Sequence, residues 1–265
     1  MRGRTLFIAG LVAGLAACGG SRGATLPTAE VGPATVPVDS LWTAGEREFR
    51  RGKWSKAQQI FDRLVANISG SDRRYARLHF YLGEALFGQG QNLLAVRELR
   101  RVADERPDDP LAPDALVRAG DAYAALWRRP ELDPTYAENA RSVYREVLTR
   151  YPGTVAAGRA TLEIAGLNEK FAYKEYKNAL FYYRYKAYDS AILLLRGLLA
   201  EYPRSKIAPN ALEKLVRSYQ ILGYAEDIRE TCAYIAEYHP EASGPRRLCP
   251  PPAAADTAAA EAGRQ

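Results

Sequence analysis

The chain has 265 residues, a formal net charge of +6, 47% hydrophobic and 26% charged residues, three cysteines and two histidines. That length can bury a core without a dense disulfide framework, and His79 and His239 lie far apart with no cysteine or carboxylate cluster at ligand spacing, so neither a metal site nor a cofactor is expected. Positive charge alone points to anionic partners, nucleic acid among them, and the compartment decides whether such partners are met.

Residues 1–17 read as a signal peptide: Arg2 and Arg4 precede an apolar run from Leu6 to Leu15 that ends in Ala16 and Ala17. The run is too short to be a dependable membrane span. Leu15-Ala16-Ala17-Cys18 resembles the bacterial lipobox, in which the cysteine is acylated after the signal is cut before it. An ordinary secretory signal with an incidental cysteine is the alternative. Because each buried methylene contributes about 0.8 kcal/mol, several acyl chains on one cysteine make an effectively permanent anchor. Gly19 in place of an aspartate resembles the pattern passed on to the outer membrane. The expected location is therefore the periplasmic face of the outer membrane, lipid-anchored through Cys18, where no nucleic acid is available.

That expectation governs the reading of residues 171–188, FAYKEYKNALFYYRYKAY. Rings interleaved with Lys and Arg can stack bases, but the compartment excludes nucleic acid as a partner. Residues 18–38, rich in Gly and Pro, form a flexible tether with an end-to-end distance of about 25 Å. At the other end, residues 244–265 are expected to be disordered. With Cys18 lipidated, Cys232 and Cys249 remain for an oxidising compartment. A disulfide clipping the tail onto the last helix is one reading; the other is that Cys232 fills a small apolar position of a repeat.

Between the termini the chain repeats itself. Ala95, Leu99, Val102 and Pro107 follow at intervals of four, three and five, and so do Ala140, Tyr144, Val147, Pro152 and Ala191, Leu195, Leu198, Pro203. Ile228, Cys232, Ile235, Pro240 keep the phase, as do Ala57, Phe61 and Leu64 without the proline. Four-and-three spacing puts these residues on one helical face, and the proline ends the helix. Each such helix is preceded by another marked by a small or apolar pair and a turn glycine: Leu82-Gly83 and Gly90, Ala119-Gly120, Leu215 and Gly223. The pattern resembles the tetratricopeptide repeat. An all-α, right-handed superhelical solenoid of about five helical hairpins is expected over residues 39–243, with repeats near 39–72, 76–109, 112–154, 172–205 and 209–242. The third carries an insertion, ALWRRPELDPTYAEN, in its inter-helix turn.

This phasing divides the aromatic residues. With residues 173–186 as the first helix of the fourth repeat, Asn178, Ala179, Tyr182 and Lys186 face the hairpin partner, and Tyr123, Tyr144, Tyr182 and Tyr219 read as core. Trp42, Phe49, Phe80, Phe87, Tyr173, Tyr176, Leu180 and Tyr183 fall on a second face, which lines the concave groove of such a solenoid. Exposed rings in a groove suggest a peptide or protein ligand; packing of the rings against one another is the equal alternative. No nucleophile elbow, zinc-protease or phosphate-loop motif occurs: from Gly45 to Gly52-Lys53 the spacing is wrong, and Trp54 stands where Ser or Thr is required. The chain is not expected to be an enzyme.

The segments ELDPTYAENARSVYREVLTRYPGT, KEYKNALFYYRYKAYDSAILLLRGLLAEYPRSK and ALEKLVRSYQILG resemble the BamD family, the tetratricopeptide lipoproteins of the outer-membrane β-barrel assembly machine. The likeness covers most of residues 40–240 and rests on Asp133-Pro134, Tyr151-Pro152, Tyr202-Pro203, Phe181-Tyr182 and Leu222-Gly223. It implies a scaffold binding the periplasmic domains of the barrel subunit BamA, other lipoproteins of the machine and unfolded β-barrel proteins. The family often has an arginine early in the second helix of the fourth repeat; Leu194 takes that position here, and Arg196 is the candidate substitute. Another periplasmic repeat lipoprotein, a pilus or secretin pilotin or a Tol-Pal-associated coordinator, is the alternative.

Overall fold

A computed structural model describes residues 37–249. The signal peptide, Cys18, the tether up to residue 36 and the tail beyond Cys249 lie outside the described residues. Eleven helices occur among them: α1 Val38–Arg50, α2 Trp54–Val65, α3 Tyr75–Gly88, α4 Asn92–Glu105, α5 Ala112–Ala124, α6 Thr135–Arg150, α7 Val155–Arg184, α8 Tyr188–Glu201, α9 Ala208–Leu222, α10 Ala225–Tyr238 and α11 Ser243–Arg246. No strand is present among the described residues. Successive helices pack as antiparallel hairpins, α1/α2 through α9/α10, giving a tetratricopeptide-type helical solenoid.

The hairpins close by small-against-large packing. A Cβ built on Gly83 of α3 would lie 2.5 Å from Leu99 Cγ on α4, and one on Gly45 would lie 2.6 Å from the Phe61 ring, so only glycine lets these helices approach. Gly120 meets Tyr144 in the same way. At four of the five hairpin turns an amide two or three residues past the end of the first helix bonds back five residues: Lys53 N to Glu48 O, Gln91 N to Leu86 O, Ala187 N to Tyr182 O and Tyr224 N to Tyr219 O, at 2.9–3.0 Å. This closure requires a left-handed residue, supplied by Gly52, Gly90 and Gly223, but by Lys186 (φ 61°) in the fourth hairpin. The second helices stop where a proline follows, at Arg106, Tyr151, Tyr202 and His239, whose backbones are held off the helical region.

Two features depart from the sequence expectation. The first helix of the fourth hairpin does not begin near residue 173: α7 runs unbroken for 30 residues, about 45 Å. Its first half buries Ala156, Ala157, Ala160 and Leu167 against the third hairpin, and its second half buries Ala179 against α8. Nothing between Val155 and Phe171 stops a helix, since Gly158 and Gly166 are exposed and unconstrained by neighbours. The apolar interior divides near the same place, one cluster running from Leu41 to Ala172 and taking in Tyr202 at the end of α8, and a smaller one from Ala179 to Tyr219. The second departure is at the end, where residues after Ser243 are not all featureless: α11, Leu248 and Cys249 pack on the fifth hairpin.

Candidate functional site

The residues expected to line a groove form two groups. In the first, Trp42 and Phe49 of α1 meet Tyr81 of α3, with ring centroids 6.3 and 4.7 Å apart, and Phe61 of α2 joins them at 6.5 and 6.3 Å. Phe80 lies 6.4 Å from Tyr81, and Trp54 lies edge-on to Phe49 at 5.3 Å. Trp42, Phe49, Phe80 and Phe87 are each half-buried against the main core. Tyr81 is the hub of this nest and was not singled out from the sequence, because it sits next to Phe80 and off the face used for phasing.

In the second group, Tyr176, Leu180 and Tyr183 of α7 are half-buried and Tyr173 is 40% exposed. Tyr176 packs against the smaller core, and burial pushes its hydroxyl pKa upward. The Lys214 ammonium of α9 lies 5.1 Å from the Tyr183 ring, and Lys177 lies 5.9 Å from Tyr173. Phe87 of α3 likewise lies 4.6 Å beneath the Arg118 guanidinium of α5. Trp42, Phe49, Phe87 and Tyr183 thus lie along the seams between consecutive first helices, each partly covered by the next repeat and partly open.

Between the two aromatic groups the surface is charged. Arg118 donates to both carboxylate oxygens of Glu84 at 2.6 and 3.0 Å and to Asp121 at 2.8 Å; Tyr144 Oη donates to the other Asp121 oxygen at 2.8 Å. Arg159 of α7 donates to Asp114 at 3.1 Å. Burial pushes the Tyr144 hydroxyl strongly upward, and the Asp121 charge adds to it, so it stays a donor. His79 and Glu98 form a buried pair at 2.8 Å between α3 and α4. Burial alone would raise the Glu98 carboxyl, but the hydrogen bonds from His79 and Arg97 hold it below the ordinary range. Among the described residues no group of side chains has the makings of a metal site.

Tyr144 and Tyr219 are buried and Tyr123 is half-buried, stacked 6.4 Å from Tyr136. Tyr182 is the exception: it is 40% exposed, and of the face assigned to the hairpin partner only Ala179 is buried. The inserted turn of the third repeat meets α7 at Phe171, stacked 4.9 Å from Trp127, and at Lys174, whose ammonium donates to Leu132 O at 3.0 Å. Beyond Lys174 the helix continues for about 15 Å, where α8 packs on Ala179 but leaves Tyr182 partly open, and Tyr182 joins the exposed Phe181 and Tyr185 in a patch with centroids 5.4 and 4.7 Å from Phe181.

Leu194 is half-buried against the smaller core, whereas Arg196 points outward, 3.7 Å from Asp227. Arg196 borders a cleft of about 390 Å³ between α8, α9 and α10, floored by Leu199, Leu212, Leu215 and Tyr219 and walled by Tyr234.

Over residues 35–233 the sequence matches the YfiO family, described as outer membrane lipoprotein. The outer membrane protein assembly factor BamD of Caulobacter vibrioides is 26% identical over 204 residues, covering 77% of this chain and 67% of that protein. Its counterpart in Vibrio cholerae is 30% identical over 212 residues, covering 74% and 85%. Among solved structures, the P58(IPK) TPR domain aligns over 80% of this chain and 54% of that one, at 16% identity and a TM-score of 0.43. No helix among the described residues is long and apolar enough to cross a membrane. The match spans all five helical hairpins up to the middle of α10, and the chain belongs to the YfiO family of outer membrane lipoproteins.

Proposed function

We propose that this chain is a non-catalytic scaffold for assembling β-barrel proteins in the outer membrane. Cys18 carries the lipid that holds it at the periplasmic face. The fourth and fifth hairpins, with Arg196 at the rim of the α8–α10 cleft, bind the periplasmic domains of the barrel subunit BamA. The half-open rings of α1, α3 and α7 take the apolar and aromatic side chains of an unfolded barrel strand, and the other lipoproteins of the machine complete the assembly. What carries this reading is the pairing of family membership with aromatic seams that do not close completely. Rings that keep one edge in water retain apolar area to give up to a ligand.

Purification of the full-length lipoprotein in mild detergent tests the partner. Recovery of BamA supports the scaffold; recovery of a secretin or of TolA in its place overturns it. The groove is tested with the double change Phe87→Ala and Tyr176→Ala, which should weaken binding of a barrel-terminal peptide by about tenfold or more while the helical circular dichroism is retained. Unchanged affinity removes the rings from the binding site.

A further inference from the structure

Cys232 on α10 and Cys249 beyond α11 are joined by a disulfide, with Cα atoms 5.6 Å apart across 17 residues of sequence. The strapped segment does more than trail from α10. Gln220 Nε2 on α9 donates to Leu248 O at 2.9 Å, Gly244 lies against Glu213 of α9, and Arg246 Nη1 donates to Pro240 O at 2.6 Å. Leu248 and Cys249 pack with Leu212, Val216 and Ile235.

The positions touched identify what the segment replaces. Sixteen residues separate Gly83 from Leu99, Gly45 from Phe61 and Ala179 from Leu195; the same interval joins Val216 to Cys232. In that register Gln220 corresponds to Phe87 and Tyr183, the residues covered by the next first helix through Arg118 and Lys214. The segment from Ser243 to Cys249 therefore lies where the first helix of a sixth repeat would pack. It is held there by one covalent bond and few buried groups: α10 has a single fully buried residue, Ile235, whereas α4 has six. Cys249, half-buried, also borders an open depression of about 430 Å³ with Gln220, Ile228 and Arg229, which gives a reductant a path to the bond.

We propose that residues 243–249 are a terminal cap of the repeat stack and that the Cys232–Cys249 bond is a reducible strap controlling it. A dithiol reductant attacks Cys249 Sγ through the depression, expelling the Cys232 thiolate, which takes up a proton. The second thiol of the reductant then displaces Cys249 and closes the reductant's own disulfide, so two electrons and two protons pass to the chain. Release of the cap uncovers Val216 and Ile235 and frees α10, the wall of the cleft that holds Arg196, while the first three hairpins stay folded.

Hydrogen exchange on the full-length protein with and without dithiothreitol tests this. Reduction should speed exchange over 225–249 on the order of tenfold and leave α3 to α6 unchanged. The double variant Cys232→Ala, Cys249→Ala should show the fast pattern without reductant and no further response to it. Three outcomes overturn the proposal: exchange over 225–249 that ignores both treatments, equal acceleration in α3 to α6, or alkylation of both cysteines in the protein as isolated without reductant.

Discussion

The first three hairpins and the last two part company only at the end of the stack: the fourth still sets a small residue against a large one, Ala179 with Leu195, and the fifth does not. In the first three, glycine on one helix admits a large side chain from the other, Gly45 with Phe61, Gly83 with Leu99 and Gly120 with Tyr144, and all three share one continuous core. Crosslinking ion pairs reinforce it, including Arg100 to Glu146 at 3.0 Å and Arg118 to Glu84 at 2.6 Å. In the last hairpin the sizes are exchanged, Val216 opposite Cys232, and a disulfide supplies what the thin interior of α10 does not. Where burial is deep the fold rests on shape; where it is shallow it rests on a covalent tie, worth about 3 kcal/mol for a loop of this length.

The largest break in that contrast should come from Gly83→Leu. Its side chain has no room against Leu99, and a loss of about 3 kcal/mol in urea unfolding is expected. Gly166→Ala, with no atom within 4 Å of the added carbon, should instead be neutral or stabilise by up to about 1 kcal/mol.

Acid should separate the two regions next. Glu98 and Glu146 are buried enough to be pushed up, yet their hydrogen bonds to His79 and Arg97, and to Arg150 and Arg100, bring both below 4.5; Asp72 is lowered below 3.8 by Arg74. Groups whose folded pKa is depressed contribute stability above the unfolded value and lose it as pH falls through the folded one. All three lie before α7, so amide protection in α3 to α6 should fall more between pH 7 and pH 3 than protection in α8 and α9. Equal losses would mean that these pairs contribute nothing.

Smaller effects sharpen the comparison. Tyr144→Phe removes one hydrogen bond to an ionised carboxylate and should cost about 2 kcal/mol, an effect that Leu195, its counterpart in the fourth hairpin, has no bond to mirror. Lys186→Gly relieves a left-handed non-glycine residue and should stabilise by about 0.5–1 kcal/mol, read as a shift in the urea midpoint of the second region.

The repeat register was legible because each copy is punctuated: Pro107, Pro152, Pro203 and Pro240 stop helices wherever they fall, and Gly90 and Gly223 mark the turns. The extent of α7 was not, since residues 155–171 contain nothing that ends a helix and an alanine-rich face that reads as either core or linker. The exposure of Tyr182 was not legible either, because periodicity places it on the side facing α8 and does not show how much of that side α8 covers. Aromatic residues on the first helices were visible from periodicity, but whether a ring faces a seam or open water depends on the next repeat, as Arg118 over Phe87 illustrates. The cap was legible in part: the cysteine pair suggests a clip onto the last helix, but GPRRLC has the composition of a tail and gives no sign of α11 or of the contacts to Gln220 and Glu213.

Helix α7 acts as a common axle for both regions, and its pitch sets their angular relation. Adding one residue between Ala172 and Ala179 would swing the last two hairpins by about 100° around that axle, whereas adding seven would restore the azimuth to within about 20° at the cost of some 10 Å of height. Length change in this stretch is thus geared to near-whole numbers of turns: about seven or eleven added residues keep the azimuth within about 20°, and about eighteen restore it.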